Sequence, residues 1–199
     1  MIKYFVLENY LKHLEPWLWG STYDAVRAEA EEKSKYAALG LDYERGLAKL
    51  ERVLGELVGP LDSVERSMRS SHWVLFACLS ELSSMPIKRI LEIGTYDGET
   101  ALILAMLFPA SEIVTVDLPE DDPIFRGSYV RDDAQTLADF KARQGVNLKP
   151  GNIKFKALNS FFLPEQVDGG FDLIWVDGGH LYPEVAWDIC NAYSLCAPG

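Results

Sequence analysis

The 199-residue chain predicts an α/β fold, a doubly wound parallel sheet with helices on both faces, preceded by a helical N-terminal segment. Three observations carry this reading. Over the first 65 residues or so, apolar positions recur at spacings of three and four, the period of amphipathic helices. Beyond Pro86, short apolar runs alternate with helical stretches, the order expected of a parallel sheet built from crossover units. Gly40, Gly59-Pro60, Pro86 and Pro109 stand where one element should stop and the next begin.

Taken in order, "TYDAVRAEAEEKSKYAALG" reads as a charged helix closed by Gly40, with "EAEEK" on a solvated face. In "DYERGLAKLERVLGELVG", Leu47, Leu50, Leu54, Leu57 and Val58 form one apolar stripe that must be buried against the rest of the chain or a second subunit. "SVERSMRSSHWVLFACLSELSSMP" reads as a longer helix closed by Pro86. "IKRILEI" is a buried first strand, "ETALILAMLF" an apolar helix, "EIVTVD" the second strand and "DDAQTLADFKARQG" a polar helix. "IKFKAL" and "FDLIWVD" are the third and fourth strands, and "PEVAWDICNAYSL" closes as a helix with proline in its first turn. Residues 1–65 are therefore expected to be a helical cap or an oligomerisation segment through which a homo-oligomer forms. Residues 66–199 are expected to be a Rossmann-like sheet domain.

Composition narrows the function. With 48% hydrophobic residues the chain can bury one good core. Thirty acidic residues against nineteen basic ones give a net charge of −11, which repels a phosphate backbone and argues against a nucleic-acid partner. Every apolar run is interrupted well short of the ~18 residues that would span a bilayer, so no membrane partner is expected. Cys78, Cys190 and Cys196 are odd in number and lack the close pairing of a zinc site, which points to a reducing cytoplasmic compartment. His13 and His72 read as ordinary helix residues, and Trp73, Trp175 and Trp187 as core.

The informative stretch is "RILEIGTYDGET", residues 89–100. In a doubly wound sheet, ligands bind beyond the carboxyl ends of the strands, and Glu92 to Gly98 occupies that position after the first strand. Gly94 permits a tight turn there, and Gly98 lets the next helix begin close to a ligand. A dinucleotide fingerprint would require glycine at 92 and 97, where this chain has Glu92 and Asp97. Carboxylates suit a positively charged cofactor better than a pyrophosphate. At the end of the second strand, Asp117 is placed to accept both hydroxyls of a ribose.

On Glu92, Gly94 and Gly98, which match E-x-G-x-x-x-G, and on Asp117, the sequence resembles the class I methyltransferases that use S-adenosylmethionine (SAM), a cofactor with a sulfonium and an ammonium group. "ALNSFFLP" resembles the family segment that lines the adenine, which makes Asn159 and Ser160 the implied contacts of the base. "FDLIWVDGGHLYPEVAWDICNAYSLCAPG" is similar to the branch of small-molecule O-methyltransferases with an Asp-Gly-x-His loop after the fourth strand. For metal-dependent members of that branch, the resemblance implies that Asp177 binds Mg²⁺ and His180 acts as general base toward a small hydroxylated methyl acceptor. The chemistry is coherent, since an imidazole can take a proton at neutral pH and a hard cation lowers the acceptor's pKa. In the family the chain continues into a fifth strand with further carboxylates and a hairpin, so the resemblance implies a domain incomplete at its C-terminus. Two other functions stay open on the sequence, a non-catalytic SAM or nucleoside-binding module and a nicotinamide-dependent oxidoreductase.

Overall fold

Residues 25–58, 71–82, 86–128 and 131–198 are described by the computed structural model. Helix α1 is Ala25–Ala38, α2 Tyr43–Val58 and α3 Ser71–Ser80. Then follow β1 Arg89–Ile93, α4 Glu99–Leu107, β2 Glu112–Asp117, the short α5 Pro123–Gly127, and α6 Ala134–Asn147. Strand β3 is Ile153–Ala157, a 3₁₀ turn covers Ser160–Phe162, α7 is Leu163–Gln166, β4 Leu173–Val176, and α8 Glu184–Leu195.

The four strands form one parallel sheet in the order β3-β2-β1-β4. Parallel strands need covering on both faces, and the side-chain alternation shows how this is met. Leu91, Ile93, Val114 and Val116 point to one face and pack with Leu163, Val167, Phe171, Ala192 and Leu195, so α7 and α8 cover that side. The alternate residues Ile90, Glu92, Ile113 and Thr115 point to the other, where the apolar helix α4 packs over β2 and β3 and α3 packs on α4. Ile103, Leu104 and Leu107 of α4 are fully or nearly fully buried, as a helix apolar on all sides requires.

The chain divides into two units, Met1–Tyr43 and Glu44–Gly199. In the smaller one, α1 ends at Gly40 in a left-handed conformation, the Leu41 amide donates to the Tyr36 carbonyl, and Tyr36 meets Tyr43 edge to face. In the larger one, α2 buries Leu50 and Leu54 of its apolar stripe together with Val53, while Leu47 and Leu57 are half-buried, and Arg45 and Lys49 both pair with Glu81 beyond α3. On α3, His72 stacks on Trp175 of β4 at 4.5 Å; burial lowers its pKa, partly offset by the negative charge of Asp177. Two of the three tryptophans read as core residues are partly buried, but Trp187 is 45% exposed. Its indole N–H donates to the Phe161 carbonyl and its ring stacks on Phe161, so it lies on the outside of α8 and holds the adjoining 3₁₀ turn.

Candidate functional site

The carboxyl ends of all four strand segments open into one cavity of about 610 Å³. β1 contributes Ile93 and Gly94, β2 Val116 and Asp117, the turn after β3 Leu158, Asn159 and Ser160, and the loop after β4 Asp177 to Leu181. Of the residues singled out from the sequence, Gly94, Asp117, Asn159, Ser160, Asp177 and His180 meet here. Glu92 and Gly98 do not line the cavity.

Gly94 is required by two constraints. Its φ is +102°, and a Cβ there would come within 2.3 Å of the Asp177 carbonyl oxygen. The loop after β1 and the loop after β4 therefore run in backbone contact, tied further by the Asp177 amide donating to the Ile93 carbonyl. Beyond Gly94, Tyr96 adopts a left-handed φ of 49°, which turns its amide toward Asp117 Oδ2 at 2.7 Å. α6 fixes this loop from outside: Gln144 donates to the Tyr96 carbonyl, Asn147 to the Asp97 carbonyl, and Arg143 pairs with Asp97. Gly98, with φ +82°, is the N-cap residue of α4 and packs against α6's end at Leu148.

The Asp117 carboxylate accepts from the Tyr96 amide on one oxygen and the Leu118 amide on the other. Each oxygen keeps lone-pair capacity for two adjacent hydroxyls of a ligand. Burial raises its pKa above the ordinary carboxylate value, opposed by those two amides and by the Arg131 charge. Arg131, itself buried, lies against the rings of Phe125, Phe140 and Tyr96.

Glu92 is 1% exposed and sits behind the cavity wall, on the α4 side of the sheet. In register with Thr115 on β2 and Trp175 on β4, its carboxyl accepts from Thr115 Oγ1 at 2.5 Å, and Thr115 in turn is hydrogen-bonded to Thr95. Burial pushes its pKa to about 8, against the Thr115 hydrogen bond and with the charges of Asp177 and Asp117 adding to the rise. Glu92, which the sequence reading places on the ligand, is here a buried tie between β1 and β2 that does not line the cavity.

At the other end of the cavity, His180 Nε2 lies 3.3 Å from Asp177 Oδ1, with the imidazole mostly exposed and the carboxylate partly so. Among the described residues no three His, Cys, Asp or Glu side chains converge as a metal-binding group. Asn159 accepts from the Phe161 amide, capping the 3₁₀ turn, and Asn191 of α8 donates to the Ser160 carbonyl at 2.8 Å. Asp188, 2% exposed, also lines the cavity beside Ser160. Burial raises its pKa, opposed by Ser160 and reinforced by the charge of Glu184.

Tyr96, Arg131 and Asp188 are cavity residues that the sequence reading did not single out. A signal existed for Asp188: with Asn191, Ala192 and Leu195 it occupies positions i, i+3, i+4 and i+7, the core stripe of α8, where a carboxylate needs a reason.

A family model described as a methyltransferase domain matches residues 91–199, just over half of the chain. No curated protein matches the chain at a significant level. Among solved structures, the chain is similar to an O-methyltransferase family protein from Burkholderia thailandensis, at 16% identity over 63% of this chain and 34% of that one, with a TM-score of 0.40. It is similar to a Podospora anserina methyltransferase with S-adenosylhomocysteine bound, at 18% identity over 88% of this chain and 67% of that one, TM-score 0.44. It is also similar to a Streptomyces achromogenes O-methyltransferase involved in tomaymycin synthesis, in complex with SAM, at 23% identity over 85% and 68%, TM-score 0.40. The chain spans about a third of the first protein's length and about two thirds of the other two.

Proposed function

We infer, from a chain that belongs to the class I SAM-dependent methyltransferases, that it methylates the hydroxyl of a small molecule and holds SAM in the cavity at the carboxyl ends of the strands. The observation that carries this is the convergence of Gly94, Asp117, Asn159, Ser160, Asp177 and His180 on that one cavity. The lining suits the cofactor. Its size falls within the ~300–1,000 Å³ of small-molecule sites. Its ionisable groups are Asp117, Asp177, Glu184 and Asp188 against Arg131 and His180, an excess of carboxylate that favours a ligand carrying sulfonium and ammonium charge. Asp117 would take the ribose hydroxyls, and the Asn159–Ser160 turn would adjoin the base.

When bound, SAM supplies a methyl carbon on a good leaving group, so the remaining difficulty lies in the acceptor's proton. His180 is the group proposed to take it. With Nε2 turned to Asp177, the proton on that nitrogen is held by the carboxylate and Nδ1 is left as the base. Asp177 is also the residue proposed for Mg²⁺, but one carboxylate and one imidazole fall short of the octahedral oxygen set that this ion takes. The net charge of −11 favours a small acceptor over a nucleic acid, and the free thiols of Cys78, Cys190 and Cys196 support a cytoplasmic location.

Calorimetric titration with SAM and S-adenosylhomocysteine tests the cofactor site. Asp117→Ala should weaken binding by ~1–3 kcal/mol, the cost of losing hydrogen bonds to a charged acceptor. Unchanged affinity in that variant, or tight NADH binding by the wild type, would overturn the assignment.

A further inference from the structure

We propose that Arg131 is a positioning residue for the ribose-binding carboxylate: its guanidinium pins the Tyr96 ring, and the Tyr96 amide thereby held in place fixes Asp117 toward the cofactor's two hydroxyls. The inference rests on the cavity being the SAM site, with Asp117 on the ribose.

The chain of contacts starts at a strained residue. Tyr96 has a φ of 49°, a left-handed conformation that a bulky side chain adopts only where its surroundings dictate it. What this conformation delivers is the amide, which donates to Asp117 Oδ2 at 2.7 Å. The backbone is held from one side by Gln144, whose side chain donates to the Tyr96 carbonyl at 2.7 Å. The ring is held from the other. Its centroid lies 5.5 Å from that of Phe140 and 5.5 Å from the Arg131 guanidinium carbon. With the ring released, Tyr96 can return to an ordinary negative φ, and its amide then turns away from Asp117.

Arg131 is placed for this task. It is only 4% exposed, and a cation almost never takes such a position without compensation. Phe125 of α5 and Phe140 of α6 meet edge to face at 5.9 Å, and the guanidinium carbon occupies the corner between them, 4.3 Å from one centroid and 4.4 Å from the other. Nη1 reaches the Phe125 carbonyl at 3.4 Å. One side chain thus joins the loop after β1, α5 and α6, and it lines the cavity where these three segments form its wall. The compensation lies on the same path, since the positive charge favours the ionised form of Asp117 against the rise that burial imposes. The contact with the rings requires a cation: aromatic faces attract charge, and a neutral side chain of the same length loses that attraction.

The test titrates the full chain with S-adenosylhomocysteine by calorimetry, as wild type, Arg131→Met, Arg131→Lys, Asp117→Asn, and Asp117→Asn combined with Arg131→Met. Arg131→Met, similar in length and uncharged, should weaken binding by about tenfold or more, whereas Arg131→Lys, which keeps the cation, should stay within about threefold of the wild type. In the Asp117→Asn background the same Arg131→Met change should cost less than about threefold, because the carboxylate through which Arg131 acts is already gone. Arg131→Gln serves as the second neutral variant should Arg131→Met fold poorly. A merely structural role predicts a loss undiminished in the Asp117→Asn background, and that result would overturn the proposal. So would wild-type affinity in Arg131→Met, or a lysine variant no better than the methionine one. Binding that Asp117→Asn leaves unchanged overturns the ribose assignment and this inference with it, and no binding by the wild type overturns the cofactor site itself.

Discussion

Glu92 shows how far a residue's role depends on which side of the sheet its side chain takes. It was legible as important because a carboxylate ends a buried apolar run, but strand alternation sends it to the α4 face, behind the cavity. A pKa raised to about 8 means that the folded state binds a proton the unfolded state gives up near the ordinary glutamate value of 4.5. Stability from this group is therefore fully present below that lower value and declines as pH rises toward about 8. Glu92→Gln, which keeps the shape and removes the charge, should flatten that decline, leaving the variant less pH-sensitive than the wild type in thermal melts between pH 5 and 9. Parallel melting curves for the two proteins across that range would refute the assignment. At His180 the expectation is kinetic. His180→Ala should bind SAM as the wild type does and turn over ~10²–10⁴-fold more slowly, measured as initial rates against pH once an acceptor is found. A wild-type rate removes the base, and full activity in excess EDTA removes the proposed Mg²⁺. That Asp117, Asp177 and His180 would line one cavity was legible from their places after strands of one parallel sheet; Arg131 was not, since its aromatic surroundings come from three separate segments.

At the level of elements, periodicity located the four strands and α2, α4, α6 and α8 to within a few residues, and β2 without error, whereas of the helix expected over 63–86 the part 63–70 lies outside the described residues and α3 ends at Ser80. What it did not resolve were α5, the 3₁₀ turn and α7, which are too short for a period to register. Those pieces shape the cavity wall, so the missing parts of the site and of the fold are the same parts. The loop after β1 illustrates why glycine identity is decisive there. Gly94→Ala must adopt a positive φ and push its Cβ into the Asp177 carbonyl, so it should cost ~2 kcal/mol or more and weaken SAM binding, both readable from melts and calorimetry. On α2, the Leu47, Leu50, Leu54 and Leu57 stripe was expected to be buried, and Leu50 at its centre is fully so. Leu50→Ala should destabilise by ~2–5 kcal/mol in denaturant melts, and a change below ~1 kcal/mol would show that α2 is peripheral to the core.

Across the whole molecule, the larger unit carries the cavity together with all four strands, and α2 belongs to it by contact although the sequence reading grouped that helix with the N-terminal segment. Helical periodicity says that a stripe is buried but not against what, so a boundary near residue 65 drawn from helical pattern could not assign α2 to either unit. Of the segment 1–65 proposed to cap the domain or mediate self-association, residues 1–24 and 59–65 lie outside the described ones. The strand order β3-β2-β1-β4 sets a hierarchy of opening. β1 and β2 are hydrogen-bonded on both flanks, while among the described strands β3 and β4 are bonded on one. Amide deuteration should therefore be slowest at Leu91 to Ile93 and Val114 to Val116, and fastest at β3, whose side chains beyond Ile153 are exposed. Gly94 and Asp117 hang from the slow pair, whereas Asn159, Ser160, Asp177 and His180 hang from the fast ones. A ligand bridging both sets would tie the strands that open early to those that open late, so bound SAM should slow exchange most at β3 and β4 and least at β1, compressing the spread of rates across the sheet.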